Sequence, residues 1–265
     1  AGSTITSGEK NTVIGYQAFT DVDASAYTLG SAENVAIGYK SMGGKFVAVD
    51  ASSASGRNVA IGVNSLGGAL EGAVRNIAIG FDALKNNTTG NNNVAIGADS
   101  MDACSTGTNN VAIGSSAGDA VTDASSLVLI GAHAGGGSIT SAAGGLVAIG
   151  QQAGVSHTSA AGCTYVGNTA GKEVTTGDHS TGIGFEALGA SAASVLTGND
   201  NTAVGYRAGY DLEGAAANNT LVGSSAGVAL TTGGNNVAIG KGSMDAAVAT
   251  STENVFIGLD AGGGT

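Results

Sequence analysis

The chain has 265 residues, 47 of them glycine, with no proline and no tryptophan. Glycine does not fall at every third position, which excludes a collagen triple helix, and 42% apolar content argues against a charge-rich disordered segment. A formal net charge of −11 argues against nucleic acid or an anionic membrane surface as partner. No window approaches the ~18 consecutive apolar residues of a membrane span, so no membrane insertion is expected.

The chain opens with ten residues, AGSTITSGEK, that precede any repeat; residues 1–10 are read as a leading segment that can act as an inter-subunit strand. Residues 11–265 form a single repeat domain. Its string is NVAIG, first met as NTVIG at Asn11. The closing glycine recurs as Gly15, Gly38, Gly62, Gly80, Gly97, Gly114, Gly131, Gly150, Gly167, Gly184, Gly205, Gly223, Gly240 and Gly258. The commonest spacing is 17 residues, and every departure is an insertion.

The columns around this anchor glycine are strict. The residue before it is always Ile or Val, and the third before it is Val, Ile or Thr. The fourth before it is Asn in ten of fourteen units. The third after it is Ala or Ser, and the fourth after it is either Phe, Leu or Met, or else Gly. β-Branched residues alternating with small ones have the period of a strand. The units Asn93, Val94, Ile96, Gly97; Asn110, Val111, Ile113, Gly114; and Asn236, Val237, Ile239, Gly240 show the element most cleanly. The predicted fold is all-β: a parallel β-solenoid, or β-roll, of about fourteen ~17-residue coils.

Three packing expectations follow. The Val and Ile columns share a face and are expected to stack as the apolar core. The asparagines at the strand entry are expected to bond from coil to coil. The column two before the glycine, mostly Ala but with Leu129, Tyr165, Leu221 and Phe256, is expected to meet a neighbouring chain. Seventeen residues suit two strands of about five residues with two turns, or a narrow three-sided coil. At one strand spacing per coil, fourteen coils would make a rod of roughly 65 Å. So thin a roll invites partners along its flank, and a parallel trimer is the expected assembly.

Insertions fall at residues 20–32, 44–57 and 189–199, where the repeat no longer dictates sequence. Tyr27, Lys45 and Phe46 lie in the first two and are the candidate contacts for a partner or a surface glycan. The weightier reading of these loops is tolerated excursion or packing between chains. No cofactor is expected. Asp21 with Asp23, or Asp99 with Asp102, offers oxygens for a structural Ca²⁺, but that ion wants six to eight ligands, so a solvated surface is favoured. His133, His157 and His179 show no metal spacing and are expected on the surface. Cys104 and Cys163 belong to coils four apart, roughly 19 Å along the axis; this is too far for an intrachain disulfide and leaves interchain pairing open. No pair of acids is singled out for catalysis, and the chain is read as not an enzyme. Ice binding would need a regular exposed Thr array. The Thr column (Thr12, Thr164, Thr181, Thr202, Thr220) is intermittent and is placed on the core face, which counts against it.

The string NNVAIG with Ala or Ser three after its glycine resembles the head repeats of trimeric autotransporter adhesins. The stretch NTAVGYRA, Asn201 to Ala208, resembles repeats of bacteriophage tail-fibre and bacterial surface-fibre proteins. The resemblance runs from Asn11 to Gly262. It implies a left-handed β-roll, a homotrimer and an extracellular setting on a cell surface or a virion. The implied function is a structural, self-associating fibre; the alternative is an adhesin or phage receptor-binding module that recognises surface glycans through its insertion loops. Seven residues follow Gly258 and fifteen lead up to Gly15, so joining two copies would space their anchors by 22 residues, within the observed range. Copies stacked end to end into filaments are therefore one expectation; a piece of a longer repeat array is the other.

Overall fold

A computed structural model describes residues 9–19, 31–44, 54–189, 195–246 and 250–263. The chain divides into two compact units, Ala1–Leu127 and Val128–Thr265. The first unit contains β1 (Thr12–Ile14), β2 (Val35–Ile37), β3 (Val59–Ile61), β4 (Ile77–Ile79), β5 (Val94–Ile96) and β6 (Val111–Ile113). The second contains β7 (Val128–Ile130), β8 (Val147–Ile149), β9 (Thr164–Val166), β10 (Thr181–Ile183), β11 (Thr202–Val204), β12 (Thr220–Val222), β13 (Val237–Ile239) and β14 (Val255–Ile257). Within each unit, successive strands pair in parallel and residue for residue: Val94 with Val111, Ala95 with Ala112, Ile96 with Ile113 in the first, and Thr202 with Thr220, Ala203 with Leu221, Val204 with Val222 in the second. Each unit is a parallel β-solenoid, as the repeat predicts.

Each coil carries one strand of three residues, shorter than the two strands of about five that its length allows. Apart from a 3-10 turn at Ser141–Ala143 and isolated parallel bridges through Val174, Leu196 and Gly214, the rest of the described coil is turn and irregular backbone, which bonds from coil to coil as the strands do. Leu84 N donates to Ser100 O at 2.9 Å, and Thr88 N to Ser105 O at 2.8 Å. The anchor glycines explain how the strand ends so sharply. All have φ between 128° and 142°, a region closed to side chains with a Cβ. A Cβ at Gly97 would also collide with the carbonyl of Gly114 in the next coil. The second and fourth residues after the anchor adopt left-handed φ even when they are not glycine, as at Asp99 (57°) and Met101 (48°).

The inside of the coil corrects the expected faces. Ala95, Ala112 and Ala238, two before their glycines, are completely buried, as are Asn93, Asn110 and Asn236. The Val and Ile columns point the other way. Val94, Ile96 and Val111 are half-buried and Ile113 is 37% exposed. The column expected to meet another chain is thus the coil's own core, and the expected core is its outer face. The reason is width. A 17-residue coil leaves room opposite the strand for a methyl or a carboxamide, while bulk comes from the turn, through residues such as Leu84 and Met101.

That geometry fixes which residues go together. Where the inward strand residue is Ala, the fourth residue after the anchor is usually large, as with Ala78 and Leu84 or Ala95 and Met101. Where it is large, that position is glycine in the same coil. A Cβ at Gly171 would run into the ring of Tyr165, and one at Gly227 would lie 2.7 Å from Leu221 Cδ2. The preceding coil complies too: Gly154 faces Tyr165, and Gly209 faces Leu221.

Candidate association face

The asparagine column sets the register on which any surface depends. In the first unit Asn34, Asn58, Asn76, Asn93 and Asn110 each donate a backbone N–H to the Oδ1 of the preceding asparagine, at 2.9–3.1 Å. Their Nδ2 groups cross the coil to turn carbonyls: Asn76 to Gly90 O and Asn93 to Gly107 O, both at 2.8 Å. The second unit repeats this from Asn201 through Asn219 and Asn236 to Asn254. The expected coil-to-coil bonding is present. The ladder's buried carboxamides are satisfied in this way, and the coils that carry them are held in one register.

This register lines up the outward columns. In the first unit Val94 and Val111 stand beside Ile96 and Ile113 in a two-wide strip of β-branched side chains. In the second, Val237 and Ile239 belong to the same kind of strip, with Ile239 38% exposed. From β9 to β12 the first column is threonine: Thr164, Thr181, Thr202 and Thr220 face outward, in register with one another. The placement of this column on the core face is therefore overturned. One residue past the glycine corner, exposed aromatic rings flank the strip. Tyr16 stacks on Tyr39 at 5.9 Å between centroids and Phe185 on Tyr206 at 5.7 Å, both pairs nearly parallel.

The strip carries no acid. Its two columns hold only Val, Ile and Thr in the described strands, and the flanking column has Lys241 as its one charged residue. The net charge of −11 is therefore carried elsewhere. At three residues wide and one strand spacing per coil, the strip covers roughly 250 Å² in the first unit and roughly 350 Å² in the second, before the rings are counted. Patches of that size fall at or below the largest one on an ordinary monomer, which is often the functional one.

The other candidates spread apart. Tyr27, Lys45 and Phe46, with Asp21 and Asp23, fall outside the described residues, as does most of the first two insertions and of the leading segment, and part of the third insertion. Asp102 lies near Asp99 and Asp119, and burial together with these like charges raises its pKa. Among the described residues no group of three or more His, Cys, Asp or Glu side chains is arranged to hold a metal ion. His133 and His179 are exposed as expected, whereas His157 is completely buried. Sequence reasoning missed it because the column seven after the anchor, shared by Asn87, Cys104, Val121 and Val174, mixes polar and apolar types. Cys104 and Cys163 are free and fully buried. Burial pushes the Cys104 thiol up to about 11 and raises that of Cys163. Pairing between chains would require a coil to open first. No described helix is long and apolar enough to cross a membrane. Neither a scan against protein-family models nor a search of curated proteins finds a match to the chain.

Proposed function

We propose that this chain is a structural protein of an extracellular fibre, and that copies associate side by side, as a parallel trimer, through the outward Val/Ile/Thr strip. The observation that carries this reading is an outward, half-exposed β-branched face without acids on a chain of net charge −11. Like-charged copies repel wherever their acids approach. Contact along the uncharged strip avoids that repulsion and removes apolar area from water, at about 25 cal/mol per Å². A stack of parallel coils suits a load-bearing role, because every coil adds the same interface and the same hydrogen bonds. The test is the mass in solution of the wild type and of the Ile96→Lys, Ile113→Lys double variant. The expected outcome is a trimeric wild type and a monomeric variant with unchanged far-UV circular dichroism. A wild type that stays monomeric at high concentration overturns the reading.

The outward threonines favour a second reading. Thr164, Thr181, Thr202 and Thr220 form a regular, outward-facing but half-buried hydroxyl ladder beside Val166, Ile183, Val204 and Val222, an array suited to ordered water at an ice surface. Thermal hysteresis from a monomeric wild type, lost in Thr181→Lys, would select this reading over the fibre.

A further inference from the structure

His157 occupies a column that holds Asn87, Cys104, Val121 and Val174 in other coils, and its side chain has no access to solvent. Its Nε2 lies 2.8 Å from the carbonyl of Ala160. A carbonyl only accepts, so Nε2 carries the proton, and Nδ1 of the neutral ring is a bare acceptor. Nδ1 has no partner. The ring meets Tyr165 edge to face, with centroids 5.9 Å apart. The Tyr165 hydroxyl lies beside the Cys163 thiol and makes no hydrogen bond of standard geometry. A proton added at Nδ1 would thus place a buried charge and a donor without an acceptor in the middle of the coil.

The same coils lack the asparagine rungs. Where the ladder runs elsewhere in the second unit, Leu146, Cys163 and Ser180 take its place before it resumes at Asn201. Cys163 Sγ reaches Gly177 O at 3.2 Å, a weaker donor in the place of a carboxamide. The weakest inter-coil bonding in the column therefore coincides with the one buried imidazole among the described residues.

We propose that the two coils around His157 form an acid-sensitive joint, which opens locally when this imidazole takes up a proton. The charged and titratable groups packed around it are few. Tyr165 and Cys163 come from β9 and its entry, and burial keeps both neutral. Asp178, from the following turn, accepts from Ala161 N at 2.8 Å and favours the cation, but it ranks below burial, which lowers the His157 pKa. Lys172 and Glu173 pair with each other at 3.5 Å and contact the chain at Ser156 rather than the ring. An unfolded histidine titrates near 6.5. The joint therefore keeps its full stability above that pH. As the pH falls further, the open form binds a proton that the closed form refuses, and stability declines until the closed form's own, lower pKa is reached.

Hydrogen exchange of the full chain, read peptide by peptide between pH 7.5 and 5.5 and corrected for intrinsic rates, tests this. Peptides within 146–180 should exchange up to about tenfold faster at the lower pH, the limit for one linked proton. Peptides from residues 54–127, which contain no histidine, should not change. His157→Val, which copies Val121 and Val174 of the same column, should abolish the acceleration, and His157→Asn, which copies Asn87, provides a second variant should the first not fold. Equal acceleration in wild type and variant, or acceleration spread over both units, overturns the proposal.

Discussion

At Asn93 one carboxamide does three jobs. Its Oδ1 accepts from Asn110 N, and its Nδ2 donates both to Gly107 O and to Asn76 Oδ1. Replacing it with Ala leaves buried groups without partners, at about 1–3 kcal/mol for each group orphaned. Asn93→Ala should therefore lower the unfolding free energy in urea by more than an Ala exchange at exposed Ser115, which should stay within about 0.5 kcal/mol. Burial makes a second prediction at this scale. With the Cys104 thiol raised to about 11 and both thiols sealed in, a thiol reagent at pH 8 should label neither cysteine in the native protein and both after denaturation. Labelling of the native chain would show that the coils open readily. The asparagine ladder was legible because an amide at a fixed place in every strand has only its stacked neighbours to bond with. His157 was not, because one residue in a mixed column leaves no pattern to read.

At the scale of the coil, the sequence displays both halves of a packing rule without showing that they touch. Gly at the fourth place after the anchor and a large residue two before it are visible columns; the contact between Gly171 and Tyr165 is not. Alternation over three residues tells which side chains share a face, but not which face is inside. Bulk assigned the interior to Val and Ile, whereas the narrow coil admits Ala and takes its bulk from the turn. Gly171→Ala should cost about 2–4 kcal/mol, because it adds overpacking against Tyr165 to a left-handed backbone position. Tyr165→Ala should cost about 3–5 kcal/mol by leaving a cavity. The double change Tyr165→Ala, Gly171→Leu imitates the Ala95 and Met101 pair and should be less destabilised than Tyr165→Ala alone in chemical denaturation. Additive losses would mean that the two positions do not share one space.

At the scale of the whole molecule, stability in a solenoid is close to a sum of coils and of contacts between neighbours. Removing residues 81–97, one full 17-residue period, brings Gly80 next to Ala98 and leaves Asn76 to bond Asn110. That deletion should keep the far-UV spectrum and a cooperative melt at a lower temperature. Removing residues 81–89 should abolish the fold of the first unit, since it breaks the register of every ladder at once. The regularity that made the architecture legible also hid the surface chemistry, because the outward strip and the inward core are written in the same five-letter string. The anchor glycine has one more consequence, for inheritance. Its φ and the adjacent carbonyl forbid any other residue, so the position must stay glycine, and it marks out recurring tracts of similar sequence along the chain. Unequal crossing-over between such tracts would change length by whole coils. It would be tolerated only where the exchanged coil brings a glycine to face its new neighbour's Leu or Tyr, as Gly209 faces Leu221 and Gly154 faces Tyr165, so the number of coils could vary while the points of exchange stay restricted.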